Sequence, residues 1–263
     1  MRVLGITGSH SRHLYFFDTL RRGFPLAGVI LQEREAMIPA PPAGAAEPDR
    51  ENWIRHFQGR ADAERKYFGE PSLDGVATFR TPPETLNSEA TIAFVRQVAP
   101  DVVVIFGCDL IKPPLADLLP ATTLNLHLGL SPRYRGAATL FWPFYFLEPN
   151  YAGSTLHYIV AEPDAGDIVH QVTPQLERGD GIHDVGCKTV VASAVEVAQV
   201  LTRLRDAGRL ERKAQAGTGK KFLESDFRVE HLRTIYDLCG NAVVRMYLDG
   251  EIRPREPKLF RQF

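Results

Sequence analysis

The chain carries little sulfur and no excess of charge: three cysteines, three methionines and two tryptophans among 263 residues, with 31 Lys and Arg against 32 Asp and Glu. Cys108, Cys187 and Cys239 are odd in number and lack metal-ligand spacing, which argues against a disulfide framework and fits a reducing compartment. Balanced charge gives no global field for nucleic acid or an anionic membrane, so any anion has to be caught locally. The apolar run at the N-terminus is too short for a signal peptide, and no later segment reads as reaching membrane-spanning length. A cytoplasmic protein with neither a nucleic-acid nor a membrane partner is expected. No full Gly-x-Gly-x-x-Gly fingerprint follows the first strand, which argues against a dinucleotide-dependent oxidoreductase. His10 and His13 have no carboxylate or cysteine at ligand spacing, so no metal is expected.

What is present is an ordinary globular composition, 44% hydrophobic and 24% charged, in a chain long enough for one sizeable α/β domain with an appendage. An apolar run over 2–7 ends at Gly8-Ser9; a helical pattern over 12–22 and a second apolar run over 26–31 follow. Residues 38–46 hold too much proline for a helix or a ladder and read as a surface loop. A charged helix is expected over 49–67, a strand over 75–79 and a capped helix over 87–98. Residues 101–106 are almost purely β-branched and apolar, the mark of a strand buried on both faces, and 123–127 read as its neighbour. Strands over 153–160 and 168–172 and a long helix over 183–204 complete an α/β fold with a doubly wound, mostly parallel sheet. Ligands of such sheets bind beyond the carboxyl ends of the strands. The core domain is expected over 1–208. Residues 209–263 would form a small C-terminal extension, polar over 215–221 and helical from Val229, with an interruption at Gly240-Asn241.

Residues two apart on a strand share a face, so Asn125 and His127 would project together from the carboxyl end of 123–127. Asp164 lies in a Pro-Asp-Ala-Gly turn, where Gly166 would supply a positive φ and let the carboxylate swing toward the imidazole. The Asn and His alone read more readily as satisfied structural polar residues; a carboxylate converging on them changes that. Acyl transfer to an amine needs a donor for the developing oxyanion and a group that moves protons, and Asn125 and His127 offer these. Asp164 would favour the protonated imidazole. No nucleophilic Ser, Cys or Lys is required.

The pattern Asn125-Leu126-His127-x-x-Leu130-x-Pro132-Arg133-Tyr134-Arg135-Gly136, followed by Asp164-x-Gly166-Asp167-Ile168, resembles the folate-dependent formyltransferases. That group includes glycinamide ribonucleotide formyltransferase, the catalytic domain of methionyl-tRNA formyltransferase, and sugar N-formyltransferases; the likeness runs over 102–172. It implies a formyltransferase, Rossmann-like fold and catalytic roles for Asn125, His127 and Asp164, with direct transfer and no covalent enzyme intermediate. It also implies 10-formyltetrahydrofolate as formyl donor. The pterin would be held near Phe106, Gly107, Cys108, Asp109 and Leu110 on one side and Val160, Ala161, Glu162 and Gly166 on the other. Where the family usually has Ser-Leu-Leu-Pro, this chain has Gly129-Leu130-Ser131-Pro132, which alters the turn and leaves the pair intact.

The turn at Gly8, Ser9 and His10 could cradle an acceptor phosphate on backbone amides or be an ordinary tight turn. Arg133 and Arg135 could sit in a solvated turn, or meet a phosphate or the folate glutamate tail. Tyr236 in the extension could help wall the acceptor site. A tail of only about a fifth of the chain disfavours a tRNA acceptor. A small-molecule amine, foremost a nucleotide-linked amino sugar, is the favoured acceptor. Glycinamide ribonucleotide and hydroxyornithine-type amines stand as alternatives, and a catalytically silent folate- or nucleotide-binding regulatory protein is the reading from another class. A homodimer is left open.

Overall fold

A computed structural model describes residues 1–215, 217 and 219–263; Ala216 and Thr218, within the polar stretch noted above, lie outside the described residues. The chain runs β1 (Val3–Gly8), α1 (Ser11–Gly23), β2 (Gly28–Gln32), α2 (Glu47–Phe68), β3 (Thr78–Thr81), α3 (Glu89–Val98), β4 (Val102–Phe106), a short α4 (Leu115–Leu118) and β5 (Thr123–His127). It continues through β6 (Tyr134–Gly136), α5 (Trp142–Tyr145), β7 (Ser154–Tyr158), β8 (Ile168–Val172), α6 (Ile182–Ala207), β9 (Lys220–Phe222) and α7 (Val243–Leu248). Seven strands form one sheet in the order β3-β2-β1-β4-β5-β7-β8. The first five are parallel, and β7 and β8 add an antiparallel edge. The strand order reverses between β1 and β4, the point at which open α/β sheets leave a crevice.

The period-2 alternation of β1 and β4 sorts their side chains onto two faces. Val3, Val102 and Val104 join Phe16, Phe17 and Leu20 of α1 and Val190, Val197 and Leu201 of α6. Leu4, Ile6, Val103 and Ile105 join Ile92, Val95 and Val98 of α3. Gly5 lets α1 sit flush on the sheet, since a Cβ there would lie 2.6 Å from the Phe17 ring. The expectation that no segment reaches membrane-spanning length is corrected by α6, whose 26 residues are long and apolar enough by that measure. Its apolar face is spent in the core: Val185, Val190, Val197, Val200 and Leu201 are at most 1% exposed.

The C-terminal segment is less helical than expected. A turn of 3-10 helix at Val229–His231 and a π-helical turn at Thr234–Leu238 precede α7, with positive φ at Gly240 (57°) and Asn241 (59°) breaking the run. Ile235, Tyr236, Val243, Val244 and Phe222 share a core with Tyr134, Phe141, Trp142 and Phe144. Strand β9 pairs parallel with β6. The last residues also return to the sheet, where the Gln171 backbone N–H donates to the Phe260 carbonyl at 2.8 Å and the Gln262 side chain donates to Val169 O at 2.7 Å.

Candidate active site

Strand β5 lies between β4 and antiparallel β7, with Asn125 opposite His157 and His127 opposite Thr155. After His127 the chain must turn sharply, and Gly129 makes room for the imidazole: a Cβ there would stand 2.6 Å from His127 Nε2. Thr155 pins that turn by donating to Gly129 O at 2.7 Å and accepting from Ser131 N at 3.0 Å. The altered Gly-Leu-Ser-Pro segment is thus held from β7.

Asp164 is brought back over the end of β5. His127 Nδ1 lies 3.4 Å from Asp164 Oδ1, so amide, imidazole and carboxylate gather at one place. The positive φ expected at Gly166 belongs to Asp164 itself (φ 57). Gly166 serves close packing, since a Cβ there would lie 1.8 Å from Tyr158 O. The Gly136 N–H donates to Asp164 Oδ2 at 3.1 Å, and Gln215 Nε2 donates to the carbonyls of Asp164 (2.9 Å) and Gly166 (2.7 Å). An Asp in this strained conformation is therefore braced from β6 and from the C-terminal segment.

The proton inventory is set by the fixed partners. The Tyr134 carbonyl, 3.1 Å from His127 Nε2, and the Asp164 carboxylate, 3.4 Å from Nδ1, can both only accept, so each ring nitrogen faces an acceptor and the geometry suits a ring that carries a proton on both. Burial pushes His127 below the usual imidazole range; the Asp164 charge opposes this and is outweighed. The carboxylate thus favours the protonated imidazole, as expected, while burial works against it. Burial alone would raise Asp164, yet the charge of His127, the contacts of His157 and the Gly136 amide together hold it below the usual carboxylate range. A proton held at Nδ1 therefore meets the counter-charge of Asp164, while burial eases its release.

His157 escapes a reading of the sequence. Its Nδ1 is 2.9 Å from the Tyr158 carbonyl and therefore donates, leaving Nε2 to accept from Asn125 Nδ2 at 3.1 Å. That bond fixes which end of the amide points where and leaves the second amide hydrogen for another acceptor. Alternation along β7 places His157 and Thr155 on one face, but that they oppose Asn125 and His127 depends on a pairing register between distant segments.

The residues expected to hold folate occupy two loops. Gly107 follows β4 with φ 74, and a Cβ there would strike the His13 ring at 2.2 Å. Leu110 and Val160 stand half exposed, at 53% and 52%, while Cys108 and Ile159 pack on the same apolar cluster. These surfaces fit a flat, partly apolar ring system. Asp109 is engaged: it accepts from Gln32 Nε2 at 2.8 Å and pairs with Arg34. Cys108 is held protonated, its thiol pushed up to about 12 by burial. Glu162 lies 3.5 Å from Arg135 NH1, and the Arg135 Nε is buried without a partner.

Three of the groups expected on the substrate side already hold partners within the chain. The turn at Gly8, Ser9 and His10 presents no open phosphate cradle, because Glu64 of α2 occupies the start of α1: its Oε2 accepts from Arg12 N at 3.4 Å and its Oε1 from Arg12 NH1 at 2.7 Å. Ser9 Oγ accepts from Arg34 N at 2.9 Å, and His10 bridges Arg12 and the Glu35 carbonyl. Arg133 is bound to Glu148, with its Nε 2.9 Å from Oε2, and stacks on Tyr151 at 4.9 Å from the ring centre. Tyr236 is buried, its hydroxyl 3.0 Å from His56 Nδ1 and 3.3 Å from His183 Nε2. It stands behind those two histidines, which themselves line a cavity of 470 Å³ with Leu128, Ala137, Arg60 and Glu64. Leu128 follows His127, and Ala137 follows Gly136, so the lining continues the segments that carry His127 and the amide that holds Asp164, while the trio itself stands outside it.

The formyl transferase family model matches residues 55–190, more than half of the chain. The methionyl-tRNA formyltransferase of Pelobacter propionicus is 29% identical over 136 residues, 50% of this chain and 39% of that protein, so the match spans about two fifths of the relative's length. Among solved structures, the phosphoribosylglycinamide formyltransferase of Anaplasma phagocytophilum aligns with a TM-score of 0.55 at 20% identity, covering 85% of this chain and 98% of that one. The formyltransferase PseJ of Anoxybacillus kamchatkensis, in complex with UDP-4,6-dideoxy-4-formamido-L-AltNAc and tetrahydrofolate, aligns at 0.51 and 15% identity over 94% and 97% of the two chains. An N-formyltransferase of Helicobacter canadensis, in complex with folinic acid and dTDP-3-aminofucose, aligns at 0.56 and 14% identity over 95% and 82%. At these identities the structural likenesses bear on the fold. With the family match extending through β5, the Asp164 turn and the first part of α6, the chain belongs to the formyl transferase family.

Proposed function

We propose that this chain transfers the formyl group of 10-formyltetrahydrofolate directly to the primary amine of a small acceptor, foremost a nucleotide-linked amino sugar. The observation that carries the reading is the gathering of Asn125, His127 and Asp164 at the end of β5, beside a cavity and flanked by the two loops suited to a pterin. The donor supplies an activated formyl group; the rest falls to the chain. Asn125, oriented by His157, directs an amide hydrogen at developing negative charge, a contribution of about 3 kcal/mol where such a donor is preorganised. His127 holds a proton at Nδ1 when charged and releases it when neutral, with Asp164 stabilising the charged form. The buried surroundings limit competing water. Amino-sugar nucleotides are favoured because the neighbours in complex with such compounds align with nearly all of this chain. Glycinamide ribonucleotide stands as the alternative acceptor, since the phosphoribosylglycinamide formyltransferase of Anaplasma phagocytophilum shares the fold over 85% of this chain. A cytoplasmic setting follows from the folate donor and the three free thiols.

The test incubates the protein with 10-formyltetrahydrofolate and a panel of nucleotide-linked amino sugars, glycinamide ribonucleotide and hydroxyornithine, and weighs the products. A formyl mass increment on an amino-sugar nucleotide is expected. Folate binding without formylation of any amine would support a silent binding protein instead.

A further inference from the structure

Helix α2 buries polar residues, among them Asn52, His56 and Glu64, and so is not held by an apolar stripe alone. Asn52 is tied to Asp237, and Glu64 is neutralised by Arg12 at 2.7 Å. Arg60, on the same helix and lining the cavity, has no carboxylate within salt-bridge distance among the described residues. Its guanidinium lies 4.7 Å over the Phe57 ring, one terminal nitrogen donates to Met37 O, and Nε is buried without a partner. The nearest acidic side chains are committed elsewhere: Glu64 to Arg12, and Glu35 to Arg34 at 3.0 Å. Glu224 reaches the lining from an exposed position at the rim. Burial, the largest influence, lowers the Arg60 guanidinium to about 10. The remaining walls near it are apolar, with Phe57, Phe141, Ile182, Val190 and Phe227. A guanidinium kept in such surroundings without a counter-ion is costly unless a ligand provides one.

We infer that Arg60 is the specificity residue that reads an anionic group on the acceptor, a phosphate or a carboxylate, within the cavity beside the trio. The assignment rests on the reading that this cavity takes the acceptor. It moves anion recognition away from the start of α1, which Glu64 occupies, and onto the helix that supplies Glu64. A planar guanidinium fork suits either anion in a bidentate grip, which a lysine could not reproduce.

The test is calorimetric titration of the full chain at low salt with sodium phosphate and, separately, sodium succinate, using wild type, Arg60→Gln and Arg60→Lys, with no formyl donor present. The wild type is expected to bind one of the two, and the responding arm tells phosphate from carboxylate. Arg60→Gln should weaken that binding tenfold or more. Arg60→Lys should bind more weakly than wild type. Should Arg60→Gln lose its fold, Arg60→Lys decides: weakened binding supports the assignment and unchanged affinity overturns it. Equal affinity in wild type and a folded Arg60→Gln, or no binding of either anion by wild type, also overturns it. Because no formyl donor is used, these outcomes leave the formyl-transfer reading standing, and a failure to formylate any amine leaves the anion site standing.

Discussion

At the scale of single residues the candidate site is an exercise in assigning hydrogens. Two backbone carbonyls, of Tyr134 and Tyr158, each claim one imidazole N–H, which leaves His127 Nδ1 facing the Asp164 carboxylate and His157 Nε2 to accept from Asn125. The direction of one pH effect follows. Asp164 raises the proton affinity of His127 against the effect of burial, so Asp164→Asn should lower it further and move the acid limb of the rate profile to lower pH. The rate itself should fall roughly a hundredfold, because the charged imidazole loses its counter-charge. An acid limb that stays in place in the variant would break the coupling. The trio was legible in the sequence because strand periodicity puts Asn125 and His127 on one face and a turn brackets Asp164. His157 was not legible, since its role depends on register. Nor was Glu64 at the start of α1, a contact spanning 52 positions.

Elements explain why the site holds its shape. The central strands were readable because their alternation is strong and both faces are buried; β3 lies a few residues later than expected, at an exposed edge where Thr78 and Arg80 face solvent and the pattern fades. The three-residue strands β6 and β9 leave no periodic signal, yet their pairing seats Asp164 through the Gly136 amide. Gly136 has φ 89, and a Cβ there would lie 2.1 Å from Phe222 O. Gly136→Ala should therefore destabilise the protein by about 2–3 kcal/mol, a melting midpoint lower by roughly 5–10 °C, and should reduce activity through a displaced Asp164. A variant with wild-type melting and turnover would show that this ladder does not position the carboxylate.

For the whole molecule, the C-terminal segment matters more than an appendage would, because its apolar residues close one core with residues 134–152 and its Gln215 braces the Asp164 turn. A local pattern suggested a helix from Val229 interrupted at Gly240-Asn241; the interruption is there, and the core completed with distant residues cuts the part before it into short turns. The fold also buries much of its histidine. Burial lowers His13 and His56 well below the usual range, His183 to about 4, and His10, His127 and His231 by lesser amounts. Each takes up a proton less readily when folded than when unfolded, so the unfolded chain binds more protons below the ordinary value of 6.5. Stability is then fully present above that pH and is lost as pH falls toward the folded values, at about 1.4 kcal/mol per pH unit for each deeply buried histidine. We expect the melting midpoint to drop steeply between pH 6.5 and 5; a flat profile would contradict the effect of burial on these rings. The most direct test of formyl transfer at the trio is a single-turnover experiment with a 13C-formyl donor and an acceptor amine, on wild type, Asn125→Ala and His127→Ala. Label should appear on the acceptor nitrogen and never on the protein, with both variants slowed roughly a hundredfold or more at unchanged melting. Label trapped on the protein, or either variant turning over at the wild-type rate, would contradict it.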